Sequence, residues 1–449
     1  MSTAPTTELA RFFAGLRYSD LPETIRERTK DLLLDAIACA IAGRDGEETG
    51  QVRAMARVLG ASTEASVIGE GRLSLVGATL LNGYLITSVT VCDVYRPSHC
   101  HVTPIVMPSA LAVAELDGAS GERLLLALAA GLEATVRVGL GMNYPAFRAR
   151  GWHSPGVIGP FGSAAAVASL RRLDADRLRN AFGLAGSQSA GTFAAWETPT
   201  VKFHQCRASL SGLMAALLAE QDFRASTEIL AHKDGGLFSA YTDGGAPDRM
   251  LADLGRHWEM ERVGLRLWPA GSPIQSLITA LFALIGKHDI RPAQVDRVRI
   301  GFSKSTWDMH GNVGWEGRFK AMLSAKYTTA IVLHDRRCWL EQYGPDRYGD
   351  PAVGAFASER VVAEVDPSVE GTGALVEIRL KDGTTHVDRR PVPKGDPADP
   401  LTRADIVDKL RVASEGFLAK AQVDRIVSLV GGLEGLGSAR ELTDALRRA

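Results

Sequence analysis

The sequence predicts a mainly α protein in which a smaller α+β domain is inserted between two helical parts. Three observations predict this fold. Helical periodicity fills the first half of the chain, the apolar–polar alternation typical of strands begins after about Val263, and helical periodicity returns over residues 402–448. We therefore assign residues 1–263 and 400–449 to the two helical parts and residues 264–399 to the α+β domain.

The first half of the chain is predicted to be a series of closely packed helices. Between Leu21 and Gly43 apolar residues recur at steps of three and four, and Gly43 stands where a helix C-cap is expected. Three later segments contain more Ala and Gly than β-branched residues: "RLLLALAAGLEATVRVGLGM", "VIGPFGSAAAVASLRRL" and "SLSGLMAALLAEQDF". Small residues let helices approach each other, so these segments predict the buried helices of one helical body.

The α+β domain is predicted from alternating segments and a turn signal. Apolar and polar residues alternate over 295–303, 360–366 and 374–390. Inside the last of these segments, Asp382 and Gly383 are typical of a hairpin turn. Helical patterns over 275–287 and 324–333 separate the strands, and the Pro- and Asp-rich connector "PVPKGDPADP" leads back to helical sequence.

The composition excludes several classes of function. The 449 residues include 51 Lys and Arg against 52 Asp and Glu, so no bulk positive field favours nucleic acid or an anionic membrane. The N-terminus lacks a basic region followed by a long apolar one, and we expect neither a signal peptide nor a membrane-spanning helix, hence a cytoplasmic protein. The five scattered cysteines form no CxxC pair, which favours reduced thiols.

One stretch, "VCDVYRPSHCHVTPIVMPSA", concentrates residues that carry chemistry. It places His99, Cys100 and His101 six to eight residues after Asp93 and before an apolar, helix-like run. On an extended segment the two histidines would point the same way, as metal ligands do, but no HExxH or carboxylate-rich motif supplies further ligands. An acid/base role suits histidine because its pKa lies nearest neutrality. Loop histidines bonded to the backbone are the remaining interpretation.

Two further stretches contain candidate substrate-binding residues. In "RGWHSPGVIGPFGSA", His153 precedes a Gly- and Ala-rich helix, whose first backbone amides could hold an anion; a histidine merely satisfied at a helix start is the alternative. In "WETPTVKFHQCRASLSG", Lys202, His204 and Arg207 follow a Thr-Pro-Thr turn. Such a group could bind a carboxylate, and a partly buried lysine can donate a proton; a solvated helix start is the alternative.

Taken together, the segments resemble the MmgE/PrpD family, which includes 2-methylcitrate dehydratase, cis-aconitate decarboxylase and iminodisuccinate epimerase. The markers are "DLLLDAIACAIAG", His101 with "MPSALAVAE", "GWHSPGVIGPFGSA", "VKFHQCRASLSGLMAALLAEQDF" and "WPAGSPIQ", in this order over 245 residues. The resemblance implies one large all-helical domain built from both chain ends, residues 1–263 and 400–449, and a smaller α+β lid, residues 264–399. It also implies a site between them, usually a homodimer, and neither a metal nor an organic cofactor.

The resemblance also implies site residues. His101 matches the histidine of the family's "DFDDT…HPG" motif, His153 matches the histidine of "GWH", Lys202 lies near the site lysine, and Tyr327 stands where the lid helix contributes a tyrosine. The family's "DFDDT" is "VCDVY" in this chain, which keeps one acidic position, Asp93. Its lid motif "YPCCxxTH" is "WPAGSPIQ", with glutamine on the histidine position.

These observations predict a cofactor-independent lyase, a dehydratase or decarboxylase that moves a proton next to a carboxylate of a di- or tricarboxylate. An epimerase of a dicarboxylate is the alternative, favoured by Gln275 because glutamine cannot exchange protons at neutral pH; a carboxylate-binding member without turnover is the third. The catalytic candidates are His101, Lys202, Tyr327 and Asp93. The substrate-binding candidates are His153, His204, Arg207, Arg266, Gln275 and Tyr95, and no metal site is expected.

Overall fold

The computed structural model describes residues 4–196 and 198–448 and divides into two compact units. Unit 1 comprises Met1–Gly264 and Thr402–Ala449, and unit 2 comprises Leu265–Leu401. The prediction of a mainly α protein is confirmed, since helices dominate the described residues and strands are few.

The α-helices, in chain order, are α1 (Pro5–Gly15), α2 (Glu23–Ala42), α3 (Thr49–Val58), α4 (Leu75–Thr87), α5 (Thr103–Asp117), α6 (Gly121–Gly141), α7 (Tyr144–Ala149), α8 (Ser154–Arg171), α9 (Ala175–Ser187), α10 (Thr200–Glu220), α11 (Leu237–Tyr241), α12 (Pro247–Leu251), α13 (Gln275–His288), α14 (Lys304–His310), α15 (Arg318–Leu323), α16 (Ala325–Asp335), α17 (Pro345–Tyr348), α18 (Pro351–Glu359), α19 (Arg403–Ser414), α20 (Lys420–Gly431) and α21 (Arg440–Leu446). The strands are β1 (Ala65–Ser66), β2 (Arg72–Leu73), β3 (Val94–Tyr95), β4 (Val263–Gly264), β5 (Val295–Phe302), β6 (Val361–Val365), β7 (Ala374–Leu380) and β8 (Thr385–Arg390).

The helix predicted between Leu21 and Gly43 is confirmed as α2, and it ends at the expected glycine. Gly43 nevertheless has a right-handed helical backbone (φ −67°), so a left-handed cap does not explain it. A Cβ at this position would lie 1.9 Å from the carbonyl oxygen of Leu85 in α4. The glycine is therefore required by the close approach of α2 to α4.

Helices α5, α6, α8 and α10 form the buried centre of unit 1. Their small residues allow backbone-to-backbone packing: a Cβ on Gly162 of α8 would lie 1.8 Å from the Thr135 hydroxyl oxygen of α6. By length and composition α6 could also cross a membrane, but 94% of its most apolar window is buried within the protein. Burial of this kind is typical of a core helix, and the predicted close packing is confirmed.

Unit 2 contains a four-stranded sheet in the order β6-β5-β7-β8. Strand β5 pairs parallel with β6 and antiparallel with β7, and β7 and β8 form the hairpin predicted from the Asp-Gly turn. Val298 and Ile300 of β5 and Ile378 of β7 are buried, whereas the residues of β8 alternate between exposed and partly exposed. Helices α13 and α16 were also predicted correctly, to within two residues.

Candidate active site

Asp93 fixes the start of α5 in unit 1. Its carboxylate is fully buried and accepts hydrogen bonds from the backbone N–H of Val102 (2.7 Å), from that of Thr103 (3.0 Å) and from the Thr103 hydroxyl. Burial raises the pKa of Asp93, while the nearby His101 and these donors act in the opposite direction. An acceptor at a helix N-terminus satisfies N–H groups that the helix leaves unpaired.

The same residue orients His101. The backbone carbonyl oxygen of Asp93 lies 2.5 Å from Nδ1 of the imidazole. Because a carbonyl oxygen can only accept, Nδ1 carries the hydrogen, and in the neutral ring Nε2 is the basic nitrogen. His101 is partly exposed. A defined tautomer and partial exposure are what an acid/base histidine requires.

His99 does not share this arrangement. Its backbone is left-handed (φ 47°), and its ring stacks on Tyr144 with the ring centres 4.6 Å apart. The extended geometry that would align His99 with His101 as metal ligands is therefore absent. Within residues 4–196 and 198–448, no group of three or more His, Cys, Asp or Glu side chains is placed to hold a metal ion.

His153 and His204 form a buried pair. His153 precedes α8, as predicted, and its Nδ1 lies 3.0 Å from Nδ1 of His204 in α10. Each residue is 8% exposed. Burial lowers the pKa of both, and the two rings next to each other lower that of His153 further. Both rings are therefore neutral at pH 7, and one donates a hydrogen bond to the other. The pair offers neutral polar atoms and carries no positive charge.

Lys202, His204 and Arg207 do not act as one cationic cluster, because α10 begins at Thr200 and its turn points the three side chains in different directions. The Lys202 ammonium is buried and donates to the carbonyl of Ser88. The alternative of a solvated helix start is therefore wrong for this lysine.

Arg207 connects backbone segments. Its guanidinium donates to the carbonyls of Gln188 (3.0 Å), Gly156 (2.9 Å) and Ala190 (2.8 Å), and to the Ser211 hydroxyl (3.2 Å). These bonds join the start of α8 to the segment that follows α9. A contact of Arg207 with a substrate carboxylate stays a prediction.

Tyr95 is fully buried and belongs to β3, which pairs with β4. Its hydroxyl donates to the Glu259 carboxylate at 2.8 Å, and that carboxylate also faces Arg262 at 3.1 Å. Burial raises the pKa of Tyr95, and Glu259 raises it further. The hydroxyl has a structural partner here, and its substrate-binding role stays a prediction.

Three predicted site residues belong to unit 2. Gln275 is the first residue of α13; its side-chain amide donates to the carbonyls of Trp268 and Ala270, both at 3.0 Å, and Arg266 donates to the same Ala270 carbonyl at 3.3 Å. The Tyr327 hydroxyl donates to the Gln342 carbonyl at 2.6 Å, and burial raises its pKa. The proton-carrier role of Tyr327 also stays a prediction.

Sequence reasoning missed His310, the last residue of α14 in unit 2. The ring is fully buried, its Nδ1 bonds the carbonyl of Leu323 at 2.8 Å, and its Nε2 has no hydrogen-bond partner in the described structure. It lies against Gly271, where a Cβ would be 2.6 Å from the ring. Burial lowers the pKa of His310 to about 4. Nothing in the surrounding "WDMHGN" distinguishes this histidine from a surface one.

Comparison with known proteins defines the class to which this fold and these residues belong. The MmgE/PrpD N-terminal domain model matches residues 7–250, and the MmgE/PrpD C-terminal domain model matches residues 268–433. The chain belongs to the MmgE/PrpD family.

Individual relatives match almost from end to end. The chain is 28% identical to the cis-aconitate decarboxylase-like protein oryM of Aspergillus oryzae, over 97% of this chain and 96% of the relative. It is 26% identical to cis-aconitate decarboxylase of Aspergillus terreus (98% and 95%) and 24% identical to the human enzyme of that name (98% and 94%).

Proposed function

We propose that this protein is a cofactor-independent lyase that decarboxylates a tricarboxylate of the cis-aconitate type by proton transfer at a carbon next to a carboxylate. The observation that carries the proposal is His101, whose Nδ1–H is held by the Asp93 carbonyl so that Nε2 exchanges the proton. Full-length similarity to cis-aconitate decarboxylases supports an enzyme of the MmgE/PrpD lyase type.

The chemistry assigns His101 a defined task. When a carboxylate leaves from a carbon next to a C=C bond, its bonding pair forms a new C=C bond. The displaced π pair then takes a proton at the carbon next to a second carboxylate. The step releases CO2 and consumes one proton, which protonated His101 delivers from Nε2. Dehydration would instead begin with neutral His101 removing a proton.

The remaining predicted roles are part of the same proposal. Arg266 and Gln275 of unit 2 are assigned to substrate binding, and Tyr327 of the same unit is assigned to proton transfer. Lys202 or Tyr327 is the second proton carrier, and His153 contributes polar atoms to a substrate carboxylate. We also propose a cytoplasmic homodimer that acts without a metal ion.

Epimerisation of a dicarboxylate is the second candidate. The observation that favours it is Gln275, whose amide donates to two backbone carbonyls and cannot carry a proton at neutral pH. An epimerase returns the proton to the same carbon and releases nothing.

Proton NMR in D2O tests the proposal. The purified protein, with EDTA present, is incubated with cis-aconitate, with citrate-like compounds and with amino dicarboxylates. We expect deuterium at the carbon next to a carboxylate together with loss of CO2 from cis-aconitate. His101→Gln should lower the rate by about 100-fold or more, whereas the exposed neighbour variant His99→Gln should keep it.

Each other outcome has a defined meaning. Unchanged turnover in His101→Gln would remove His101 from the mechanism. Deuterium exchange without release of CO2 or water would identify an epimerase. If no compound exchanges, thermal-shift measurements with the same compounds identify a binding protein when one of them raises the melting temperature.

A further inference from the structure

The segment that leads to Asp93 is held by a buried lysine from the C-terminal part of the chain. The Lys409 ammonium of α19 donates to the carbonyl of Val91 at 2.9 Å and to the Asp35 carboxylate of α2 at 2.6 Å. The Lys409 and Asp35 side chains are 1% and 0% exposed. The thiol of Cys39, one turn after Asp35, also contacts the Val91 carbonyl, at 3.5 Å.

We propose that Lys409, together with Asp35, is a positioning residue for His101. It fixes the Val91 carbonyl and thereby the backbone that runs two residues further to Asp93, whose own carbonyl holds the Nδ1–H of His101. The effect on turnover rests on the proposed function, whereas the effect on the His101 ring does not.

Buried lysines bond two carbonyls of the backbone before Asp93. Residues 88–93 belong to neither a helix nor a strand, so their carbonyls lack the regular partners that a ladder would supply. Two buried lysines take that place: Lys202 donates to the Ser88 carbonyl and Lys409 to the Val91 carbonyl. The path and the direction of this segment therefore depend on side chains from α10 and α19.

A lysine is a costly choice for a purely structural contact. Burying an ion pair requires desolvation of both charges, and apolar residues of similar size often stabilise a protein as well or better. Lys409 nevertheless stays charged, because Asp35 raises its pKa against the effect of burial. What an apolar residue could not supply is a directed donor for the Val91 carbonyl, and this directionality is the reason to assign a positioning role.

The test replaces the pair without leaving one charge alone. Asp35→Asn/Lys409→Met removes both charges and the donor, while Asp35→Asn/Lys409→Gln removes the charges but keeps a donor. The matched control is Lys30→Met in α2, another buried lysine, which bonds Glu27, Glu434 and the Gly431 carbonyl instead of the loop. All variants are compared as full-length chains that melt cooperatively.

The first measurement is the 15N spectrum of the histidine rings, with the His101 signal assigned by its loss in His101→Gln. Wild type should show a protonated Nδ1 and an unprotonated Nε2. In the methionine double variant the 15N chemical shifts of the two ring nitrogens should move towards their average. The glutamine double variant should restore the wild-type pattern. An unchanged His101 signal in the methionine variant, or an equal change in Lys30→Met, would overturn the proposal.

Turnover is the second measurement. A shift of the reacting nitrogen by about 1 Å can lower a rate about 100-fold. We expect kcat to fall by about 10-fold to 100-fold in the methionine double variant, with KM changed less than about 3-fold, and kcat to stay at the wild-type value in Lys30→Met. Equal kcat values in wild type and the methionine variant would overturn the positioning role in catalysis.

Two outcomes separate the proposals. If wild type turns over none of the compounds but its His101 spectrum responds to Lys409, the proposed reaction fails and the positioning role stands. If the methionine variant does not fold, Lys409→Arg keeps the charge and displaces the donor. An altered His101 signal in that variant supports the proposal, and an unaltered one overturns it.

Discussion

Asp93 fixes the region around His101 through two groups of one residue, its side-chain carboxylate and its backbone carbonyl. Its carboxylate caps α5 and its carbonyl holds the imidazole, although the two residues lie eight positions apart. They meet because Tyr95 and Cys100 exchange backbone hydrogen bonds (2.7 and 3.1 Å), which fold the chain back on itself. The sequence identified Asp93 and His101 as candidate catalytic residues. The tautomer of His101 depends on this chain reversal and was not predictable.

His310 makes the stability of the protein depend on pH. Burial lowers its pKa to about 4, whereas a histidine of the unfolded chain has a pKa of about 6.5. Below about pH 6.5 the unfolded chain binds a proton that the folded protein does not, so the free energy of unfolding falls as the pH falls towards 4. We expect this residue alone to account for a loss of about 3 kcal/mol across that window.

Chemical denaturation of wild type and His310→Gln at several pH values measures the effect. Glutamine does not titrate, so the stability of wild type relative to the variant should decrease steadily from about pH 6.5 to about pH 4. His334→Gln, a partly exposed histidine of the same unit whose Nδ1 bonds the Ala330 carbonyl, is the control. A difference between wild type and His310→Gln that does not change with pH would contradict the expectation.

At the scale of elements, local sequence patterns predicted the type and length of each helix or strand better than they predicted which elements pack or pair with each other. Helical periodicity located α2, α13 and α16, and apolar–polar alternation located the strands β5 to β8. Both signals exist because an element that buries one face has apolar residues at regular spacing. The parallel pairing of β5 with β6 was not predictable, since the two strands lie about sixty residues apart and their register depends on packing between distant side chains.

The start of α10 shows that local patterns also failed to predict which side chains of the candidate site meet. The sequence placed Lys202, His204 and Arg207 near a helix start, and as a group they suggested a carboxylate site. Inclusion of all three in the helix sends each side chain to a different neighbour: the Ser88 carbonyl, His153 and the backbone around α8. The predicted helical segment begins at Ser209, whereas α10 begins at Thr200. The position of a helix start therefore decides which side chains meet.

The packing of α6 against α8 gives a prediction for the helical core. Gly162→Ala would place a methyl group 1.8 Å from the Thr135 hydroxyl and 2.7 Å from the Gly131 carbonyl. The helices must separate to admit it, and overpacking of this kind costs about 1–3 kcal/mol. Thermal and chemical denaturation should show the loss.

Gly286→Ala in α13 is the matched control. Gly286 is an exposed helical residue, and a Cβ there would meet nothing within 4 Å. Alanine should therefore stabilise the protein by up to about 1 kcal/mol through its higher helix propensity. If Gly162→Ala proved as stable as wild type, the close approach of α6 and α8 would be wrong.

At the scale of the whole molecule, the last part of the chain, from Thr402 onwards, completes unit 1. Helix α19 packs along α2, where Lys409 pairs with Asp35 and Arg403 bonds Asp31. The sequence predicted that helices return after residue 402, because their periodicity is local. It did not predict that they supply a charge to the interior of α2, because that contact spans more than 370 residues.

Removal of the C-terminal segment should therefore cost unit 1 its cooperative fold. A chain ending at Leu401 leaves Asp35 as an uncompensated buried carboxylate, exposes the apolar face of α2 and loses the donor to the Val91 carbonyl. We expect this chain to aggregate on expression, and coexpression of residues 402–449 as a separate peptide to restore soluble protein. A chain ending at Arg447 should melt like wild type. A cooperative transition of the 1–401 chain at the wild-type temperature would show that the buried residues of α2 do not need α19. The positioning of His101 by Lys409 of α19 would then lose its structural basis.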